Sequence, residues 1–485
     1  MESSSYVTLD GHDAHRLNVR PGWKCALIVL ILSLSLLLLL VGGRFDSCVL
    51  AFVDPSHLTQ ASLPVDAHES ASAHLVKQCT ESYHAHLSDI GSELPILGII
   101  DVPPLSRDLL WFHDSQWNSA SAWMCINGQL QAQIRIHVRG HDSKYFPKKQ
   151  FALEILSLVA TNGTFPQNLS MPITSKWTLR NSFVDKSSIR NPMAFELYRN
   201  LGAWAPHTVY VNLMIDGLDL GLYYLGEKIS VGSDRINIDL SQREFLLYID
   251  NPGRHYALVT TNETNTPVYI CEPSRKQLRS SDVEYVAGVL DQLDHHIVAQ
   301  IAIDHLVDLD SFARFYALEE IARNWDGYGY SEHFIIRADG RVAHAAPWDL
   351  DMAFGNSCNS CLHLDDPEGW HVDDFVKVTC SMVRSIFYRL FHHPQMIAAF
   401  RRVWFAARAK KLSDGELVAL ISRMEDRIVR SAVRDMKLWS GVNPFGFESV
   451  CHTDDAHNFH GAVAHVRNYV LRRARWIDAN IKAAL

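Results

Sequence analysis

Residues 324–355 read NWDGYGYSEHFIIRADGRVAHAAPWDLDMAFG and combine a hairpin pattern with several aspartates. Its centre, residues 334–346, has the pattern of a β-hairpin that turns at Asp339-Gly340, because D-G is a favoured pair in tight hairpin turns. In an antiparallel pair closed by such a turn, residues whose numbers add up to about 679 lie opposite each other. The segments before and after the hairpin are therefore predicted to lie side by side.

Three aspartates lie in those two segments. The hairpin register brings Asp349 close to Tyr330, and so to Asp326, although the two aspartates are far apart in sequence. Asp351 points to the same side as Asp349 if the chain stays extended. Carboxylate oxygens are the ligands that a hard cation such as Mg²⁺ prefers. We therefore predict a metal-binding rim here; the alternative for each aspartate taken singly is a role in a turn.

The pattern of the remaining chain predicts the fold class. Alternating apolar and polar residues predict strands over residues 130–140, 150–156, 208–214 and 220–228. Helical signals predict a short helix that begins at Asn191-Pro192 and ends at Gly202, and mainly helices from about residue 375. They also predict a helix capped by Asp310, with Phe312, Phe315, Leu318 and Ile321 on its apolar face. A β-rich first half and a helical second half predict an α+β fold with two lobes.

The composition excludes several classes of protein. Of 485 residues, 47% are hydrophobic and 20% are charged, as in ordinary globular domains. The net charge is −9, and no run of basic residues alternates with aromatic ones in the way that nucleic-acid-binding surfaces require. Nucleic acid is therefore not a predicted partner.

Residues 25–43 read CALIVLILSLSLLLLLVGG and contain no charge. A helix of this length nearly crosses the hydrocarbon core of a bilayer, so we predict a single transmembrane signal anchor. A cleaved signal peptide is the alternative. Arg16, Arg20 and Lys24 precede the segment, and the positive-inside rule therefore predicts a type II membrane protein with a cytosolic N-terminus.

This topology divides the chain into a cytosolic tail (1–24), the anchor (25–43), a stalk (44–90) and a folded domain (91–485). The domain is then expected in the lumen of the secretory pathway (ER or Golgi) or at the cell surface. Glycosylation sequons at Asn162, Asn168 and Asn262 fit that location. Eight cysteines follow the anchor and allow up to four disulfides of undetermined connectivity, while Cys358 and Cys361 are predicted to be a disulfide or redox pair.

Several ordered stretches resemble the CotH (spore coat protein H) kinase family. They are residues 138–154 (VRGHDSKYFPKKQFALE), 177–202 (WTLRNSFVDKSSIRNPMAFELYRNLG), 215–228 (IDGLDLGLYYLGEK) and 324–355 with its P-W-D-L-D-M-A-F-G. The resemblance covers roughly residues 94–485. It implies an atypical protein kinase with a remote kinase-like fold; some members phosphorylate coat proteins, and others are surface adhesins.

The resemblance also implies roles for individual residues. Asp326 becomes the candidate catalytic acid, Asp349 the candidate Mg²⁺ ligand and Asp351 a second ligand. Lys149 would bind the phosphates of ATP, and Glu227 would orient that lysine. These roles suit phosphoryl transfer, in which cations neutralise the phosphates while an aspartate orients the acceptor hydroxyl.

Lys148 and Arg139 are further candidates for nucleotide binding. The alternative for Lys148 and Lys149 is a solvated strand end, and the alternative for Arg139 and Arg190 is the ordering of loops. The turn at residues 140–145 would have to cover the nucleotide, because the chain has no G-x-G-x-x-G loop.

The resemblance therefore implies transfer of phosphate from ATP, with Mg²⁺ or Mn²⁺, to Ser or Thr hydroxyls of secreted or surface proteins. One departure is that relatives carry a metal-binding asparagine where this chain has Ser331-Glu332-His333. Two alternatives follow, namely a catalytically inactive adhesion or coat-assembly module of the same fold and a glycan kinase.

Overall fold

A computed structural model of the chain describes residues 65–90, 93–103, 119–140, 143–159, 169–172, 174–250, 257–356, 364–378, 386–440 and 458–481. The predicted anchor (25–43), the Cys358/Cys361 pair and the sequons at Asn162 and Asn168 lie outside these residues. No helix within the described ranges is both long enough and apolar enough to cross a bilayer.

The first part of the chain forms a closed seven-stranded barrel with the strand order β1-β2-β3-β4-β5-β7-β6. The strands are β1 (Ile96–Ile100), β2 (Ala120–Ile126), β3 (Gln129–Arg139), β4 (Gln150–Leu158), β5 (Lys176–Arg180), β6 (Thr208–Ile215) and β7 (Leu218–Glu227). Only β1 and β6 run parallel; the other neighbours in the barrel are antiparallel. Alternate residues such as Ile134, Leu179 and Leu225 fill the interior, which confirms the strands predicted from period-2 alternation.

A second sheet has five strands in the order β12-β11-β8-β10-β9. These are β8 (Phe245–Ile249), β9 (Ala257–Thr260), β10 (Pro267–Glu272), β11 (Glu332–Ile336) and β12 (Val342–Ala346). Helices pack against this sheet around a second core that contains Phe312, Phe315, Leu318 and Ile321, the predicted apolar face of one helix. Sheets and helices in these proportions confirm an α+β protein; the two-lobed, kinase-like arrangement stays a prediction.

The helices within the described residues are α1 (Val65–Ile90), α2 (Arg190–Asn200), α3 (Ser280–Val298), α4 (Leu309–Ala322), α5 (His371–Val378), α6 (Ile386–Phe391), α7 (Pro394–Arg408), α8 (Asp414–Leu438) and α9 (Phe459–Asn480). Two predicted caps are wrong. Asp308, not Asp310, caps α4 by accepting a hydrogen bond from Ser311 N. Asn191 lies inside α2, because the helix begins two residues earlier than predicted and the amide side chain bonds elsewhere.

Helix α1 lies where the sequence predicted an irregular stalk. Its residues Leu75 and Cys79 are buried against the outside of the barrel, and Cys79 forms a disulfide with Cys125 of β2. The sequence has only weak helical periodicity here, so neither the helix nor its covalent partner was recognised. The second half of the predicted stalk is thus helical and joined to the barrel.

The predicted hairpin is present as β11 and β12. His333 lies opposite Ala346 in the predicted register, but Phe334 lies opposite His344 because a β-bulge shifts the remaining pairs by one residue. The connecting loop is longer than the predicted two-residue turn, since Arg337 N donates to Arg341 O (2.9 Å). The hairpin is confirmed, and its inner register is corrected by one residue.

Candidate functional site

The loop that follows β12 is held in place by helix α2. Leu350 N donates to Asn191 Oδ1 (2.8 Å), and Arg190 Nε donates to Ala353 O (2.9 Å). Arg190 also forms a buried ion pair with Asp185. Arg190 therefore orders this loop, which is the alternative given for it above. Asp349 has a φ of +62°, a left-handed conformation that costs free energy for an aspartate and that these contacts sustain.

The segments before and after the hairpin lie side by side, as the hairpin predicts. Trp325 N donates to Met352 O (3.1 Å), and Phe354 N donates to Ala322 O (2.6 Å). The residue after Trp325 is Asp326, and the residue before Met352 is Asp351. Local chain geometry therefore brings the candidate catalytic segment next to the candidate metal-binding segment.

The outer face of the barrel presents two arginines to this loop. Arg180 Nη2 donates to Asp349 Oδ1, and the Arg180 side chain is only 3% exposed. The guanidinium carbons of Arg180 and Arg139 lie 4.8 and 5.3 Å from the ring centroid of Trp348. A planar guanidinium can both stack on an indole and bind oxygen atoms at its edge. Two cations thus flank the acidic loop.

Charge is concentrated at this point. Burial, with Arg180 adding to it, lowers the pKa of Arg139 to about 10. Burial raises the pKa of Asp351 to about 7, and the neighbouring Asp349 carboxylate adds to the shift. A buried carboxyl whose pKa is raised beside a second carboxylate is the kind of group that a divalent cation stabilises in its charged form.

Three buried polar groups on the barrel lack partners among the described residues. They are Arg180 Nε, Arg180 Nη1 and the hydroxyl of Tyr224, and the two residues lie opposite each other on β5 and β7. Buried donors without acceptors cost free energy, so such groups are commonly completed by a ligand or by water. Oxygen atoms of an anionic ligand would satisfy them.

A complete metal site is not preformed in the described part of the chain. No three His, Cys, Asp or Glu side chains converge there closely enough to hold a metal ion. Mg²⁺ commonly takes one or two carboxylates from the protein and completes its shell with phosphate oxygens and water. Asp349 and Asp351 fit such a partial site, in which the Arg180 contact to Asp349 would loosen when the cation binds.

Lys149 and Glu227 do not meet. Lys149 Nζ donates to Lys144 O (2.7 Å), whereas Glu227 accepts from His207 Nδ1 (2.8 Å) and Arg235 Nε (3.2 Å). Barrel register explains this separation, because the two residues lie four positions apart along the strands, or roughly 13 Å. The lysine-glutamate pair that the resemblance implies is therefore absent between these two residues.

Lys148 has a structural contact rather than an open ammonium. Its Nζ donates to Asp435 Oδ1 of α8 (2.6 Å) and to Leu222 O (2.9 Å). Lys148 and Lys149 are 1% and 3% exposed, so the alternative of a solvated strand end is wrong. Lys148 thus links barrel and helix, and a role for it in nucleotide binding stays a prediction.

Asp326 lies in a tight turn at the end of α4. Its carbonyl oxygen accepts hydrogen bonds from Tyr330 N (2.9 Å) and Gly329 N (3.1 Å). Burial raises the pKa of the Tyr330 hydroxyl, and the Asp326 carboxylate adds to this effect. Tyr330 is itself 39% exposed, so the turn faces solvent on that side.

Ser331-Glu332-His333, the tripeptide that stands where an asparagine was expected, is largely buried. Glu332 is buried and contacts His344 Nε2 (3.2 Å), and the ring of His333 packs on Tyr248 with centroids 4.4 Å apart. Burial lowers the pKa of His333 to about 3, so this imidazole is uncharged at neutral pH.

Sequence reasoning missed Arg180 and Asn191. Arg180 lies in the strand Lys176–Arg180, on the face opposite Trp177 and Leu179, and an arginine inside an apolar strand was the available signal. Asn191 was read as a helix cap, and only the folded chain brings it to Leu350.

Comparisons with known proteins agree with the resemblance. The chain matches the family model described as CotH kinase protein over residues 136–477, more than half of its length. The inner spore coat protein H of Bacillus subtilis (strain 168) is 21% identical over 274 residues, which cover 54% of this chain and 70% of that relative. A solved structure, the open conformation of CtTel1, aligns with a TM-score of 0.28 and 12% identity over 83% of this chain and 14% of that one, too weakly to support a shared fold. The chain belongs to the CotH kinase family and is a kinase-like protein.

Proposed function

We propose that this protein transfers phosphate from ATP, with Mg²⁺ or Mn²⁺, to Ser or Thr hydroxyls of secreted, lumenal or surface proteins. The observation that carries the proposal is the cluster of Arg139, Arg180, Asp349 and Asp351 beside the segment of Asp326. A buried guanidinium with unpartnered donors, that of Arg180, suits phosphate oxygens, and adjacent carboxylates suit a divalent ion. Membership of the family supports the same reaction class.

The proposed roles follow from the contacts. Arg180 and Arg139 bind phosphate oxygens through guanidinium edges that Trp348 holds in orientation. Asp349 and Asp351 hold the cation, which when bound neutralises charge on the phosphates. Asp326 orients the acceptor hydroxyl and takes its proton. Lys149, buried beside Lys144, reaches a phosphate only if its bond to the Lys144 carbonyl is released.

The membrane topology is also part of the proposal. Residues 25–43 would anchor the chain and place the folded domain on the lumenal or outer side of the membrane. The Cys79–Cys125 disulfide supports this placement, because such bonds persist in oxidising compartments. Acceptors would then be proteins that share that compartment.

The test compares wild type with Asp349→Ala in the full chain purified in mild detergent. With Mg²⁺ or Mn²⁺, ATP is expected to raise the melting temperature of wild type by several degrees, as binding to the native state requires, and labelled ATP is expected to phosphorylate protein. Asp349→Ala is expected to lose both responses. Asp304→Ala, an exposed aspartate outside the cluster, is the matched control and should behave like wild type.

The proposal fails if wild type shows neither a nucleotide-dependent shift nor phosphate transfer, or if Asp349→Ala behaves like wild type. An inactive adhesion or coat-assembly module is the second candidate, and Ser331-Glu332-His333 in place of a metal-binding asparagine favours it. Binding to a surface partner that survives the double variant Asp326→Ala/Asp349→Ala, without any nucleotide response, would identify that module. Mass spectrometry that finds phosphate on sugar would assign a glycan kinase instead.

A further inference from the structure

A buried carboxyl lies directly behind the turn that carries Asp326. Glu319 of α4 is 1% exposed, and its Oε2 atom has no hydrogen-bond partner among the described residues. A Cβ atom added at Gly327 would lie only 2.2 Å from Glu319 Oε2. The carboxyl of Glu319 therefore lies against the Asp326-Gly327 turn in the space that a side chain at position 327 would fill.

The groups that face Glu319 are mostly acidic or weakly acidic. They are Glu320 on its own helix, Asp326 in the turn, Glu332 on β11, Tyr198 on α2 and Tyr328 after α4. The nearby basic groups are engaged elsewhere. Arg473 pairs with Glu320 (2.8 Å), and His344, an imidazole whose pKa burial lowers well below its usual value, bonds to Tyr198 (2.6 Å) and Glu332. No described cation therefore compensates an ionised Glu319.

Burial raises the pKa of Glu319 to about 8, and the charges of Glu320 and Asp326 add to the shift, while the side chain of Asn324 opposes it. Burial likewise raises the pKa of Glu332 well above its usual range, with Glu319 and Asp326 contributing. An unpaired carboxylate in a low-dielectric interior is costly, so such groups keep their proton. At neutral pH the carboxyl that contacts the turn is uncharged.

We propose that Glu319 is a positioning residue for Asp326, whose uncharged carboxyl supports the Asp326-Gly327 turn and whose ionisation displaces that turn. This role is supported by the close approach of Glu319 to position 327 and by its acidic surroundings. It also rests on the proposed function, because Asp326 is taken as the residue that orients the acceptor hydroxyl.

The test measures initial rates of phosphate transfer between pH 6.5 and 9.5 for wild type, Glu319→Gln and Glu319→Ala. The protonated fraction of a carboxyl with a pKa of about 8 falls from about nine tenths at pH 7 to about one tenth at pH 9. Between these two pH values, the rate of wild type relative to that of Glu319→Gln should therefore fall about tenfold. The amide of glutamine keeps the shape without the charge, whereas Glu319→Ala removes the support and should be slow at every pH. Glu284→Gln, an exposed glutamate on α3, controls for the substitution itself.

A second measurement needs no catalysis. A carboxyl whose pKa rises on folding contributes stability below its unfolded pKa, and that contribution is lost as the pH rises through about 8. The melting temperature of wild type should therefore fall relative to that of Glu319→Gln between pH 7 and pH 9, without nucleotide.

The outcomes separate the two proposals. If wild type transfers phosphate but Glu319→Gln has the same pH profile and the same pH dependence of melting, the role of Glu319 is overturned alone. If Glu319→Ala is as active as wild type, the positioning role is likewise overturned. If wild type transfers no phosphate at any pH, the proposed function and the catalytic role of Glu319 both fall, and the melting experiment still decides whether the carboxyl is held uncharged.

Discussion

Replacement of Lys148 by methionine tests whether this lysine is a structural link or a nucleotide ligand. Its ammonium lies 2.6 Å from Asp435 Oδ1, and the two side chains are 1% and 16% exposed. Asp435 also accepts from Leu222 N (2.8 Å). Methionine keeps most of the aliphatic stem beside the ring of Tyr223 but leaves Asp435 without its counter-ion.

Removal of one partner of a buried ion pair costs about 3–5 kcal/mol. Unfolding entropy is about 2.1 cal/mol/K per residue, so a folded unit of roughly 400 residues should melt about 4–6 °C lower. The cost arises because burial already raises the pKa of Asp435 while Lys148 opposes that rise, and the variant removes the opposition. Addition of Asp435→Asn to Lys148→Met removes the buried, uncompensated carboxylate and should restore most of the stability.

The assay is thermal unfolding of wild type, the two single variants and the double variant, each with and without ATP and Mg²⁺. A structural link predicts a coupling free energy of at least about 2 kcal/mol between the two positions and a normal nucleotide response once stability is restored. A Lys148→Met protein that melts like wild type but no longer responds to nucleotide would refute this reasoning and return Lys148 to the phosphate-binding residues.

Two further changes test contacts between elements. Gly221→Ala should lower the free energy of unfolding by more than about 2 kcal/mol, because a Cβ there would lie 2.0 Å from Asp435 Oδ1. The control Gly217→Ala, with a similar positive φ and no atom within 4 Å, should cost only the backbone strain of about 1 kcal/mol. Equal losses for the two variants in urea unfolding would contradict the clash. Loss of the Cys79–Cys125 disulfide, by reduction or by serine substitution, should lower the free energy of unfolding by about 4 kcal/mol, because the bond closes a loop of 46 residues. An unchanged unfolding midpoint after reduction would show that the bond does not contribute to stability.

Local patterns were enough to predict much of the fold. Alternation in residues 130–140 predicted β3, and apolar spacing from Phe312 to Ile321 predicted the buried face of α4. The hairpin of β11 and β12 was also correct, since turn chemistry and alternation act over a few residues. Helix α1 was missed because its burial depends on the barrel and on Cys125, which lies far along the chain.

The candidate site divides in the same way. The sequence predicted that the segments of Asp326 and Asp351 lie together, because one hairpin joins them. It did not predict Arg180 at Asp349, which lies 169 residues away in sequence, or the burial of Lys148 against Asp435, which lies 287 residues away. Contacts over such distances depend on how barrel and helices pack, and no local periodicity encodes that packing.

The sequence by itself determined the α+β class, the acidic hairpin and the resemblance to the CotH kinase family. Only the tertiary structure decided that Lys149 and Glu227 bind different partners and that Arg180 faces the acidic loop. The physical reason is that side-chain identity and spacing set the local chain conformation, whereas the register of a closed barrel sets which side chains share a face and a level.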